Sequence, residues 1–138
     1  MRAALVDLDG TVVRGDSLLP GAADGVRALR AAGLEVVFLT NNPTRSPADW
    51  AARLTDLGVP ADAGQVLTSA AATRQYLDDH YADAAAYPVV GDEVLEQLDG
   101  VAVTFVGDPT EAAVVVAGYD PEFDYGDLTA GLRGLRAG

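Results

Sequence analysis

The chain has 138 residues, enough for a sizeable core yet within the range of one domain. Twenty-one acidic residues against nine basic ones, all nine of them Arg, give a net charge of −12, so the surface repels nucleic acid and anionic membranes. Cysteine is absent, which excludes disulfides and thiolate metal sites, and no apolar run approaches the roughly 20 residues of a membrane span. No signal peptide opens the chain, so the cytoplasm is the expected compartment. A Lys-free, Asp- and Ala-rich composition points to a salt-loving source, where ionic strength screens self-repulsion. A GC-rich genome would favour Arg and Ala over Lys as well.

The first informative stretch runs from Ala3 to Val13. Its apolar run ends in Asp7, with Asp9, Gly10 and Thr11 directly behind. A short apolar run bounded by a turn signal predicts a buried strand. Both carboxylates then fall at the strand's carboxyl end, where open α/β sheets place their ligands. Two neighbouring carboxylates repel one another, and a divalent cation is the simplest partner. Oxygen donors suit magnesium. Gly10 permits a tight turn, and the Thr11 hydroxyl can fix it by a local hydrogen bond.

Asp-x-Asp-Gly-Thr after an apolar strand resembles the first motif of the haloacid dehalogenase superfamily phosphatases. The resemblance implies a nucleophile at Asp7, a general acid/base at Asp9, and Mg2+ held by the Asp7 carboxylate and the Asp9 main-chain carbonyl. The chemistry is coherent on its own terms. A carboxylate attacking phosphorus splits one hard displacement into two easier ones, and a second carboxyl group can protonate the leaving alkoxide and then activate water.

Val12-Val13 and Leu18-Leu19 around Arg14-Gly15-Asp16-Ser17 predict a small hairpin, which the resembled family uses as a flap over its pocket. Arg-Gly-Asp reads here as a turn. Pro20-Gly21 opens a helix to about Ala32 with Ala22, Val26 and Leu29 on one face, and Gly33 stops it. A second strand follows from Leu34 to Leu39 and ends in Thr40-Asn41-Asn42-Pro43. The β-α-β order makes the two strands parallel neighbours, so Thr40 lands at the same sheet edge as Asp7. Leu-Thr-Asn-Asn resembles the second family motif, which implies phosphate binding by Thr40 and Asn41.

Ser46, Pro47 and Asp49 mark a helix start. Trp50, Leu54 and Leu57 form its apolar face, and Asp49 and Arg53 are placed to pair across one turn. Gly58 ends it. Gln65 to Leu67 reads as a third strand, followed by a helix capped at Thr68-Ser69 that carries Ala70, Thr73, Leu77 and Tyr81. His80, the only histidine, sits among Asp78, Asp79 and Asp83 at a solvated helix end and lacks a second imidazole for a metal site.

From about Tyr81 the chain reads as strand (86–90), helix (92–98), strand (101–106), strand (113–117) and a last helix (126–137) with Leu128, Leu132 and Leu135 turned inward. Gly91-Asp92 and Gly107-Asp108 tempt comparison with a metal-binding Gly-Asp motif, but neither has a second acid at the right spacing followed by suitable residues. Both read as strand-end turns. The wording Leu67 to Ala70, Val89 to Asp92, Val114 to Asp120 and Phe123 to Tyr125 is similar to the nitrophenylphosphatase-like (NagD-like) branch, which inserts an α/β cap after the third strand.

The expected fold is therefore α/β: a Rossmann-like parallel core at residues 1–80 and an incomplete α/β cap at residues 81–138. Branch members continue well beyond this length, so the chain reads as an N-terminal half that lacks the later basic residue, the later metal-binding acids and two core strands. The implied activity is Mg2+-dependent hydrolysis of a small phosphorylated substrate. The competing reading is a non-catalytic subunit that associates with a complementing C-terminal half or with itself as a homodimer. A receiver-like phosphoacceptor is disfavoured because its late Lys has no counterpart here. A dehalogenase is disfavoured because Asp9 supplies acid/base chemistry that halide displacement does not need.

Overall fold

A computed structural model describes residues 2–137. The chain divides into two compact units between Ser69 and Ala70. Each is a three-stranded parallel sheet with helices, an α/β arrangement.

In the first unit, β1 (Ala3–Asp7), β4 (Glu35–Thr40) and β5 (Val66–Thr68) lie in the order β1-β4-β5. A short antiparallel hairpin, β2 (Val13–Arg14) and β3 (Ser17–Leu18), follows β1. Helix α1 (Ala22–Ala31) crosses from the hairpin to β4, and α2 (Pro47–Asp56) crosses from β4 to β5. The start of α2 is dictated locally. The Ser46 hydroxyl accepts the Asp49 amide at 3.2 Å, the Asp49 carboxylate takes up Ser46, and Pro47 fills the first helical position.

Both crossovers step along the sheet in the same direction, which puts both helices on one face when the hand is the usual one. Val26 of α1 and Trp50, Ala51 and Leu54 of α2 accordingly share a core with Val36 and Phe38 of β4. Alternate residues of β4 are buried, whereas Val37 and Leu39 face the other way and are half-buried. Leu5 is 68% exposed on that second face. The expectation of a buried first strand is thus corrected. No residue of β1 is buried, because β1 is an edge strand with helices on only one side. The core reaches instead into the loop and hairpin beyond it, through Leu8, Val12 and Val13. Trp50 anchors this core as expected from its helical position.

In the second unit, β6 (Ala85–Val89) is central in the order β7-β6-β8, between β7 (Thr104–Phe105) and β8 (Val114–Ala117). Helices α3 (Ser69–His80), α4 (Asp92–Gln97) and α5 (Tyr125–Ala137) complete it. The sequence places the unit boundary after residue 80; the compact units divide before Ala70. The contacts of α3 explain the shift. Leu77 packs with Ala86, Leu98, Val101 and Val116, the Arg74 guanidinium donates to the Asp99 carbonyl, and the Asp78 carboxylate accepts the Ala102 amide at 2.7 Å. These ties bind the helix to the second sheet and its loops.

A second correction concerns α5. Leu128, Leu132 and Leu135 point outward, 53%, 51% and 68% exposed, while Gly131 and Gly134 are buried. A Cβ at Gly131 would lie 3.2 Å from Val89 Cγ2, and one at Gly134 only 2.9 Å from Val115 Cγ2 and 3.0 Å from the Pro109 carbonyl oxygen. The sheet therefore accepts the helix through its side-chain-free stripe, since only glycine permits so close an approach. Helical periodicity located the leucine face correctly but could not say which face the sheet would take.

Candidate active site

The acidic pair occupies the carboxyl end of β1. Asp7 is the last residue of that strand, in register with Leu39 of β4. The Leu8 amide extends the ladder by donating to the Leu39 carbonyl at 2.9 Å, after which the chain turns sharply. Gly10 adopts a φ of 88°, a conformation that side chains with a Cβ avoid. The turn is tied back by the Leu8 carbonyl, which accepts the amides of Thr11, Val12 and Val13 at 3.3, 2.9 and 2.9 Å. Leu8 thus points into the core while Asp7 and Asp9, its two neighbours, are exposed.

A hydroxyl holds each carboxylate. Thr11 Oγ1 donates to Asp7 Oδ2 at 3.1 Å, and Thr40 Oγ1 donates to Asp9 Oδ2 at 2.9 Å. Thr40 ends β4 and is buried at 5% exposure. The strand pairing therefore unites the two motifs: parallel neighbours end at one edge, and Thr40 reaches Asp9 across 31 positions of sequence. Thr40 Oγ1 also accepts the Asn42 amide at 3.0 Å, and Asn42 Oδ1 accepts the amide and hydroxyl of Thr44 at 3.0 and 2.8 Å. This Asx-type turn shapes the loop leading to α2. Asn41 is exposed, and its main-chain carbonyl accepts the Ser69 hydroxyl at 3.0 Å.

Asp7, Asp9, Thr40 and Asn41 thus gather at one edge, with Asp7 and Asp9 oriented by hydroxyls. Thr11 is legible in the sequence as a turn former with a local hydrogen bond, and the structure shows that its partner is Asp7, four residues back. The sequence places Asn42 in a strand-end turn and Ser69 at a helix cap, but not their bonds to Thr40, Thr44 and the Asn41 carbonyl. The helical spacing pairs Arg53 with Asp49, but the Asp49 carboxylate is committed to the helix cap and Arg53 pairs with Asp16 at 2.7 Å.

The two Gly-Asp pairs fall in the second unit, each at the start of a short helical element. Gly91 precedes α4, whose first residue is Asp92. Asp108 caps a 3-10 turn, and the Thr110 amide and then its hydroxyl hold the Asp108 carboxyl below its ordinary range, with a smaller contribution from the Arg133 charge. His80 is exposed at the end of α3, its ring 4.5 Å from that of Tyr76. No helix among the described residues is long and apolar enough to cross a membrane.

Known proteins similar to this chain place its sequence and fold. The 5'-nucleotidase YutF of Bacillus subtilis is 35% identical over 135 residues, spanning 97% of this chain and 52% of the relative. A double-mutant thermostable NPPase from Geobacillus stearothermophilus superposes with a TM-score of 0.83 at 33% identity, covering 100% of this chain and 55% of that one. Glycerol phosphate phosphatase Rv1692 from Mycobacterium tuberculosis, solved in complex with magnesium, gives a TM-score of 0.76 at 30% identity and covers 97% and 41%. The chain therefore spans about half the length of the curated relatives it matches. The Haloacid dehalogenase-like hydrolase family matches residues 4–104, a stretch that carries the acidic pair, Thr40 and all of the first sheet except Ala3. On that match, the chain belongs to the haloacid dehalogenase-like hydrolases.

Proposed function

We propose that this chain carries the nucleophilic part of a magnesium-dependent phosphatase acting on a small phosphomonoester. The observation that carries the reading is the pair of hydroxyl-held carboxylates at one sheet edge. In the first step an Asp7 carboxylate oxygen attacks phosphorus. The P–O bond to the leaving alkoxide breaks, and a protonated Asp9 supplies that alkoxide's proton. In the second, Asp9 as carboxylate takes a proton from water, whose oxygen displaces Asp7 from the aspartyl-phosphate and releases inorganic phosphate. Asp9 must therefore change partners during turnover, and the Thr40 hydroxyl, freed from Asp9, would turn to a phosphoryl oxygen alongside the Asn41 backbone.

The oxygen donors of this edge fit magnesium in kind: the Asp7 carboxylate and the Asp9 carbonyl would hold it. They fall short in number, since among the described residues no three acidic or imidazole groups are gathered for a metal ion. Bound magnesium would offset the repulsion between two carboxylates and an incoming phosphate. In this reading the first unit is the start of a hydrolase core and the second is part of a cap that selects substrate, with the cytoplasm as its compartment.

A second reading is favoured by the open edge of β1 and the exposed face at Leu5 and Leu67. The chain would then work only with a separate partner supplying the remaining motifs, or would self-associate as a homodimer. One experiment separates the two. The purified 138-residue chain is assayed with p-nitrophenyl phosphate and magnesium, alone and mixed with the remaining half of the Geobacillus relative. We expect no turnover alone and measurable turnover in the mixture. Ordinary enzyme rates from the chain alone would overturn the need for further motifs, and no turnover in either arm would count against the phosphatase reading.

The acidic surface is proposed as an adaptation to high salt. With a net charge of −12, folding stability should rise as the screening length falls from roughly 8 Å at 0.15 M to about 3 Å at 1 M salt. Thermal melts across that range of potassium chloride test it. A melting temperature that stays flat or falls would refute the proposal.

A further inference from the structure

The Arg14-Gly15-Asp16 turn has no part in the chemistry above, yet a side chain from α2 is bonded to its tip. The hairpin is fixed at both ends. At its base, the Gly10 amide donates to the Val13 carbonyl at 2.7 Å, Leu19 donates to Val12 at 2.9 Å, and Val12 and Val13 are buried. That base is the same loop that carries Asp9, which itself bridges to Val13. At its tip, Arg53 from α2 donates Nη2 to the Gly15 carbonyl at 2.6 Å and to Asp16 Oδ1 at 2.7 Å, across 38 and 37 positions. Gly15 presents its carbonyl from a φ of 54°. The Arg53 guanidinium is itself seated, 5.9 Å from the centroid of the buried Trp50 ring.

One side chain thus ties the hairpin that follows Asp9 to the helix that follows Thr40. Its worth is not global stability. The Asp16 side chain is 91% exposed, and an ion pair so open to water adds little to the folding free energy. What the contact does fix is direction. The base of the hairpin is seated in the core by Val12, Val13 and Leu18, whereas the tip from Arg14 to Ser17 is exposed and has no apolar packing of its own.

We propose that Arg53 is a positioning residue, a latch that holds the hairpin tip from Arg14 to Ser17 in place and lets it loosen when the Asp16 pair breaks. The consequence for catalysis, control of access to Asp9, rests on the phosphatase reading. The latch itself is measured without substrate, so its failure and the failure of that reading are distinguishable.

The test is amide hydrogen exchange by NMR on the 138-residue chain, following Leu19 as the hairpin reporter and Phe38 of β4 as the core reporter. Arg53→Met, which keeps the stem over Trp50 but removes both donated bonds, should speed Leu19 exchange about tenfold. Asp16→Asn, at an exposed position that cannot unfold the protein, should speed it about threefold. Arg53→Lys should restore most of the protection, and 1 M potassium chloride should reproduce the Asp16→Asn effect in the unmodified chain. Phe38 protection should hold in Asp16→Asn throughout. Unchanged Leu19 exchange in Asp16→Asn, or an Arg53→Lys variant no better than Arg53→Met, would overturn the latch. So would a rise at Leu19 matched by an equal rise at Phe38 in Asp16→Asn.

Discussion

Asp7→Asn is expected to abolish phosphatase turnover while leaving the fold in place. The expectation applies to any active assembly containing this chain, such as its mixture with the complementary half of a relative. The amide is nearly isosteric with the carboxylate and can still accept the Thr11 hydroxyl, so the β1 edge and its turn should persist. It cannot act as the nucleophile. Loss of a covalent nucleophile costs on the order of 10⁶ in kcat in a well-studied hydrolase, and a drop beyond about 10³ is enough to make the assignment here. Asp9→Asn should be less complete, about 10² to 10⁴, because attack still occurs while proton delivery to the leaving group and then activation of water are lost; kcat/KM reads the first of these steps alone. The deficit should also shrink with substrates whose leaving groups need no proton, such as p-nitrophenyl phosphate, compared with alkyl phosphates. Near-normal rates in Asp7→Asn, with unchanged circular dichroism, would remove Asp7 from the mechanism. An Asp9→Asn deficit equal for both substrates would assign Asp9 to some task other than acid catalysis.

The second large effect is expected on α5. Gly134→Val should destabilise the chain by about 1–3 kcal/mol, because the new atoms meet the Pro109 carbonyl oxygen and Val115 where a lone Cβ already comes within 3.0 and 2.9 Å. The gain in helix propensity on leaving glycine, less than about 1 kcal/mol, works against this and does not cancel it. Leu132→Gln, on the outward face, should stay within about 0.5 kcal/mol of the parent chain. Urea unfolding of the two variants gives the comparison directly. If Leu132→Gln cost as much as Gly134→Val, the leucine face would be the packed one after all.

The Arg53 latch and the α5 stripe share a cause. In each, local sequence offers a plausible partner and the tertiary structure supplies a better one. Asp49 lies one helical turn from Arg53, but its carboxylate completes the Ser46 cap, leaving the guanidinium to reach the hairpin. Leucines at helical spacing form an apolar face on α5, but the sheet at Val89 and Val115 leaves room only for glycine.

The sequence by itself determined the elements and the acidic edge. The Ser46-Pro47-Asp49 cap, the Gly33 stop and the β-forming apolar run of β4 are local rules that act over one or two turns, so they are readable from the chain alone. The Asp7-x-Asp9-Gly10-Thr11 string is equally local, and β-α-β connectivity alone brings Thr40 to the same edge. Only the tertiary structure decided which faces are covered. That Leu5 of β1 stays exposed follows from the helices of both crossovers packing on the opposite face of the sheet. That α3 joins the second unit follows from Leu77, Arg74 and Asp78 finding partners downstream. Burial and long-range pairing are properties of the space between elements, and periodicity along the chain carries no information about what fills it.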